Sequence, residues 1–201
     1  MHNKFPKYYY FIDKFNKDDI KKLNENIAVI YRNYEQKTNV KLIKKLKYLL
    51  KKKKIKFYLS NNIKLSIKLN LDGVYIPSFN NKMSFNFFPK KKKFQIIGSA
   101  HNLREIKIKE KQGAKTILLS PLFKTNKSTN YLNICKFNLL AKKTNKNIIA
   151  LGGINQFNYK KLFLLNIHGF ASISFFKNID KFNLNKIIIK HKNYLNNLTK
   201  R

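Results

Sequence analysis

Eight short apolar runs constrain this chain more than any other feature: YYYFID, IAVIYR, IKFYLS, GVYIPS, FQIIGS, AKTILLS, IIALGG and FASISFF. Most are continuous rather than alternating. A strand with one wet face alternates apolar and polar residues, whereas a strand covered on both faces reads as an unbroken apolar run, as in a parallel sheet flanked by helices. Helix-like segments lie between the runs: KDDIKKLNE, NVKLIKKLKYLLKKK, NIKLSIKLN, NLREIKIKEKQ, NYLNICKFNLLAKK, NQFNYKKLFLLN and FNLNKIIIKHKNYLNNL. This order predicts an α/β fold, and eight strands each followed by a helix or loop predict an eight-stranded parallel βα (TIM) barrel. FNNKMSFNFFPKKKK, after the fourth run, is the weakest of the helical segments. No linker or shift of composition divides the chain, so residues 1–201 are expected to form a single domain.

At 201 residues and 43% hydrophobic, the chain is long enough to bury a substantial core. No apolar run approaches the roughly 18 residues that a membrane helix needs. The first residues, MHNKFPKYYYFIDKF, lack an apolar stretch followed by a small-residue cleavage site, so no secretory leader is expected and the cytoplasm is the expected location. A single cysteine, Cys135, rules out an internal disulfide and a cysteine zinc cluster. Its helix-like surroundings predict a buried core thiol. Lys and Arg number 44 against 9 Asp and Glu, a net charge of +35. Such an excess ordinarily suggests a nucleic-acid partner. Here the lysines are spread over the whole chain together with Asn, Ile and Phe, the pattern of an A/T-rich coding bias, so nucleic acid is not the expected partner. The field would still draw an anionic small molecule.

Two stretches carry local signals. In FQIIGSAHNLREIKIKEKQGAKTILLSPLF, Asn102 is placed to cap a helix, Glu105 to answer the N–H of that cap, and Gly113 to end the helix. Ser99 and His101 therefore fall between the end of one strand and the start of a helix, the face of a barrel that carries active sites. In ALGGIN, Gly152 and Gly153 let the backbone approach a ligand, and the N–H groups that follow favour an anion. Arg32 stands out in a lysine-rich chain, because a guanidinium grips phosphate with a geometry lysine cannot copy.

IIGSAHNLREIKIKEKQGAKTILLSPLFKTNKS, IIALGGINQFNYKKLFLLNIHGFASIS and LDGVYIPS together resemble the thiamine-phosphate synthase / TenI family. The family patterns are roughly G-x-S-x-H on strand five, G-P-x-F-x-T-x-T-K after strand six and G-G-I after strand seven, with an apolar residue and Ser ending strand eight. The resemblance implies a βα barrel that couples a hydroxymethylpyrimidine diphosphate to a thiazole phosphate, releasing pyrophosphate with the help of Mg²⁺. It implies Ser99 and His101 at the reacting centre and Arg32 at the diphosphate and pyrimidine. Thr125, Gly152, Gly153, Ile173 and Ser174 would hold the thiazole phosphate, and Asn61 and Lys127 are counted among the substrate-binding positions.

Several positions depart from the family. Its metal-binding aspartates fall on Asn61 and Asn80, so no metal ligand is assigned, and Mg²⁺ is expected only if the chain works as a synthase. Asp13 or Glu35, near strand ends, would have to replace them; Asp72 opens a strand and lies at the opposite end. Ile30 and Tyr34 stand where the family has Gln and Lys, and Pro77 and Ser78 where it has Gly and Gln. Ser128 replaces the lysine after strand six, with Lys127 and Lys124 close enough to serve. Two alternatives stay open: a TenI-like thiazole tautomerase with His101 as acid and base, and an inactive barrel that binds a phosphorylated ligand. His168, ahead of the last strand, is expected to be structural.

Overall fold

Each apolar run becomes a strand in the computed structural model: β1 Tyr8–Ile12, β2 Ile27–Tyr31, β3 Phe57–Ser60, β4 Gly73–Ile76, β5 Gln95–Ala100, β6 Thr116–Leu119, β7 Asn147–Leu151 and β8 Gly169–Ser172. The structure describes residues 5–34, 39–83, 87–89, 91–126 and 129–198, except for the side chains of residues 181, 182, 191, 192 and 194–198. Glu35, Lys127 and Ser128 lie outside the described residues. All neighbouring strands pair in parallel, and β8 returns to β1 to close the barrel.

The register explains the unbroken apolar runs. Tyr9, Phe11, Ala28, Ile30, Tyr58, Tyr75, Ile97, Leu118, Ile149 and Ala171 form one buried cluster, which fills the barrel. Their neighbours of opposite parity, among them Tyr8, Tyr10, Val29, Val74, Ile117 and Phe170, belong to a second cluster shared with helical residues such as Ile43, Leu46, Leu50, Ile106 and Phe137. Both faces of every strand are therefore dry. Inside, aromatic bulk lies beside small residues. Phe11 meets Tyr75 edge-on at 5.2 Å and Tyr9 lies 6.1 Å from Tyr58, while Ala28 and Ala171 supply little volume. Alternation of large and small side chains is how a narrow barrel reaches close packing.

The helices are α1 Lys17–Lys22, α2 Val40–Lys52, α3 Ile63–Lys68, α4 Leu103–Lys111, α5 Asn133–Ala141, α6 Ser174–Asn178 and α7 Lys181–Leu198. Asparagine starts four of them: the Asn16, Asn39, Asn62 and Asn102 side chains each accept a backbone N–H from the first turn. Each cap satisfies a donor that the helix cannot, a contribution of about 1 kcal/mol apiece.

Three expectations are corrected. FASISFF is not all strand: β8 stops at Ser172, and Phe175 and Phe176 turn into α6 to pack on Phe170, with ring centroids 5.1 and 5.5 Å away. A short apolar run does not distinguish a buried helix from a strand. NQFNYKKLFLLN shortens to a 3₁₀ helix, Tyr159–Leu164. Cys135 is exposed rather than buried. Helix α5 buries Phe137 and Ala141, and a residue two positions away from Phe137 is rotated by about 200°, onto the solvent face.

The β8–β1 seam is tight. The N–H of Phe170 donates to the Lys7 carbonyl at 3.0 Å, and a Cβ on Gly169 would stand 1.7 Å from that carbonyl oxygen. Backbone cannot step aside as a side chain does. Gly169→Ala is therefore expected to destabilise the fold by about 3 kcal/mol, read as a lower urea midpoint. An unchanged midpoint would show that the seam tolerates a side chain.

Candidate active site

The carboxyl ends of the strands open into a cleft of about 820 Å³. Arg32 after β2, His101 after β5, Thr125 after β6, Gly152 and Gly153 after β7, and Ile173 and Ser174 after β8 all line it. Ser99 lies beneath rather than in it: it is buried, and the Tyr75 hydroxyl donates to its Oγ at 2.8 Å. Asn61 stands on the rim at β3 and is not among the residues lining the cleft. Lys127 is outside the described residues, while Lys124 lines the cleft.

His101 is held from two sides. Its Nδ1 lies 2.7 Å from the Ser120 carbonyl; a carbonyl only accepts, so Nδ1 carries the proton. Nε2 lies 3.0 Å from Ser78 Oγ and, bare in the neutral ring, accepts from that hydroxyl. The backbone N–H of His101 donates to Glu105 at 2.7 Å, and the other carboxylate oxygen takes the Asn102 amide at 3.1 Å. Glu105 thus reaches one residue beyond the cap that it was expected to answer. Arg32 lies over the Phe11 ring, 4.8 Å from its centroid. Beside it, burial pushes the Tyr75 hydroxyl up to about 12, so that it stays a neutral donor.

The glycine turn is built for close approach. Gly152 and Gly153 have φ of +97° and +68°. A Cβ on Gly152 would meet Pro121 Cα at 2.7 Å, and one on Gly153 the Lys124 carbonyl oxygen at 2.5 Å. The N–H groups of Leu122 and Phe123 donate to the Leu151 and Gly152 carbonyls at 2.8 and 3.1 Å. This lacing joins the loop after β6 to the turn after β7 as one wall of the cleft. On its far side, Ser172 Oγ donates to the Ile154 carbonyl at 2.8 Å.

Across the rim the chemistry changes. Asn80 Nδ2 donates to Asn61 Oδ1 at 2.6 Å. The Tyr34 hydroxyl lies 2.9 Å from Ser60 Oγ, and its ring meets Phe79 edge-on at 5.6 Å. Lys109, on α4, is fully buried, and its ammonium donates to the Asn80 carbonyl at 2.6 Å and to Gln112 Oε1 at 2.9 Å. Among the described residues, no three His, Cys, Asp or Glu side chains come close enough to share a metal ion. At the opposite end of the barrel, Asp72 accepts the N–H of Phe57 at 2.9 Å, and His168 Nδ1 accepts that of Ile148 at 3.2 Å.

Sequence reasoning missed Tyr75 and Lys109. Tyr75 shares the inward parity of its strand and pairs with Ile97, two residues before Ser99. Lys109 lies three residues after the buried Ile106, on the inner face of α4, where only a glycine leaves room for its stem: a Cβ on Gly98 would come within 2.8 Å of Lys109 Cδ.

A family described as thiamine monophosphate synthase matches residues 22–176. A putative thiamine-phosphate synthase 2 of Aquifex aeolicus is 31% identical over 145 residues, covering 68% of this chain and 74% of that protein. A thiamine-phosphate synthase of Pelagibacter ubique is 32% identical over 158 residues, covering 75% of each. The thiamine phosphate pyrophosphorylase structure from Pyrococcus furiosus superposes with a TM-score of 0.72 at 17% identity, over 94% of this chain and 97% of that one, and shares its fold.

Burial pushes the Lys109 ammonium down to about 8 from an ordinary value of 10.5. Between those values the unfolded chain binds the proton that the folded chain has released, so stability attributable to Lys109 rises as pH rises through this window. Melting temperatures recorded from pH 7.5 to 10.5 are expected to climb more steeply for the parent than for Lys109→Met. Parallel curves would refute the shift.

Proposed function

Because the chain belongs to the thiamine monophosphate synthase family, we propose that it works in thiamine biosynthesis as a synthase-type barrel whose cleft holds a thiazole phosphate. One observation carries this reading: Thr125, the Gly152–Gly153 turn and Ser174 converge on one cleft together with Arg32 and Lys124. Peptide N–H groups and small hydroxyls suit the oxygens of a phosphate, and the two cations offset its charge. Leu132, Leu151, Ile173 and Pro121 add an apolar wall against which a heterocycle can lie. On this reading the pyrimidine partner falls to Arg32 on the cleft wall and to Ser99, held by Tyr75 beneath it, so that both reactants would be held in line. The net positive field speeds encounter with anionic substrates, and the cytoplasm is the compartment this role implies. Family synthases use Mg²⁺ to neutralise a departing diphosphate. The amides at Asn61 and Asn80 do not fit that ion, and no step of this reading passes through it.

The geometry of His101 favours a second reading, tautomerase-type proton transfer on a thiazole phosphate. With Nδ1 committed to the Ser120 carbonyl, Nε2 is the nitrogen left to take a proton once Ser78 yields it, and the residue lines the cleft. An imidazole held at one nitrogen can pass a proton through the other without a metal.

The purified protein, incubated with both phosphorylated substrates and Mg²⁺ and then oxidised, should yield the fluorescent derivative of thiamine phosphate above an enzyme-free blank. No product, together with a melting shift on adding the thiazole phosphate, would leave a binding barrel or a tautomerase; neither product nor shift would remove the reading. Gly153→Asp is expected to weaken thiazole-phosphate binding at least a hundredfold, roughly 2.8 kcal/mol. Its Cβ would meet the Lys124 carbonyl oxygen at 2.5 Å and displace the turn, and its carboxylate would add a like charge to the wall; calorimetry that showed unchanged affinity would argue against this wall as the phosphate site.

A further inference from the structure

We propose that the β3–β4 side of the rim takes no divalent cation, its metal position being closed by an amide lock made of Asn61, Asn80, Lys109 and Gln112. The proposal deepens the reading above, and rests on it only in placing a phosphorylated ligand alongside.

Two carboxylates facing each other need a cation or a shared proton between them. The amide pair needs none, because Asn80 donates N–H to the Asn61 carbonyl oxygen at 2.6 Å. Every other polar group of Asn80 with a recorded partner is tied to the chain itself. Its Oδ1 accepts the N–H of Lys82 at 2.9 Å, and its own N–H donates to the Pro77 carbonyl at 3.1 Å. Its carbonyl accepts from Lys109 Nζ at 2.6 Å and Gln112 Nε2 at 2.8 Å, and Gln112 also donates to the Lys82 carbonyl at 2.9 Å. The side chain therefore presents N–H to Asn61, and its oxygen already accepts one hydrogen bond from the loop. A hard cation such as Mg²⁺ needs oxygen lone pairs, carboxylates first, and sheds its own water reluctantly.

Lys109 braces the arrangement. Its stem is buried against Gly98, and its Nζ donates to the carbonyl of Asn80 from behind the loop that carries it. Asn61 is fixed as well: its φ is +59°, and its N–H donates to the Tyr75 carbonyl at 2.8 Å. The ligand's charge is then met by fixed side chains, Arg32 and Lys124, rather than by a metal.

Mn²⁺ is the probe, titrated into the 201-residue protein and followed by the electron paramagnetic resonance of the free ion. The parent is expected to show no saturable one-to-one site at millimolar Mn²⁺. The double variant Asn61→Asp, Asn80→Asp is expected to gain one that saturates within that range. Asn80→Asp alone serves if the pair does not fold, with circular dichroism as the check. A saturable site in the parent, including one built on Glu35, overturns the proposal. Folded carboxylate variants that gain no site overturn the assignment of the closure to these amides. The melting shift produced by inorganic phosphate should be the same in EDTA as in Mg²⁺, and a shift lost in EDTA also overturns the proposal. No phosphate shift under either condition would count against the phosphate-site reading alone, since the Mn²⁺ titrations decide the lock by themselves.

Discussion

Three pairings, Tyr8 with Phe170, Tyr9 with Ala171 and Tyr10 with Ser172, turn a row of βα units into a ring. The site depends on that closure. In a closed parallel sheet every strand ends on the same rim, so residues as far apart in sequence as Arg32 and Ser174 line one cleft. The ring also leaves no strand edge to pair with another chain. Its interior is narrow enough that four aromatic rings, beside alanines, fill much of it. The last inward residues before the opening, Tyr75 and Ser99, are thus pressed into contact and form the floor of the site.

The rim has two chemistries. On the β6–β8 side, a loop and a glycine turn are laced by backbone hydrogen bonds and leave the cleft lined with small groups. On the β2–β4 side, Tyr34, Phe79, Asn61 and Asn80 bond mainly to each other and to their own loops. The first side offers small groups beside Arg32 and Lys124. The second carries neutral groups that satisfy one another. The difference is one of chemistry rather than of backbone, because both sides stand at the ends of paired strands of the same ring.

The fold was legible because its signal is repeated eight times and relies on burial of both strand faces, a property that a run such as IAVIYR displays by itself. The helix starts were legible for a similar reason, since an asparagine cap such as Asn102 is a local device. FASISFF was read too far because the change from strand to helix at Ser172 is decided by how Phe175 and Phe176 pack on Phe170, a contact between residues and not a property of the run. Cys135 was misplaced because which face of α5 meets the barrel is set by Phe137. In the site, Thr125, Gly152 and Gly153 were legible from their motifs. Lys109 was not, because a buried lysine depends on a glycine one strand away and on a carbonyl in another loop, and lysine is everywhere in this sequence.

The scarcity of acids bears on the same point. The chain has 9 Asp and Glu against 44 Lys and Arg, and most of these acids have structural partners. Asp18 and Asp19 pair with Lys21 and Lys22 on α1, and Asp19 also accepts from Tyr10. Asp72 accepts the N–H of Phe57, Asp180 that of Asn183, and Glu105 that of His101. Glu110 accepts from Lys107 and Thr144. A metal centre built from carboxylates would have to take one of them from such a post or be made anew. An anion site built from peptide N–H groups, hydroxyls and a few cations draws on what this sequence has in excess. With a cationic surface and few acids, this barrel can stabilise a phosphate most directly by fixed donors, and an amide pair at Asn61 and Asn80 is the neutral arrangement consistent with that balance.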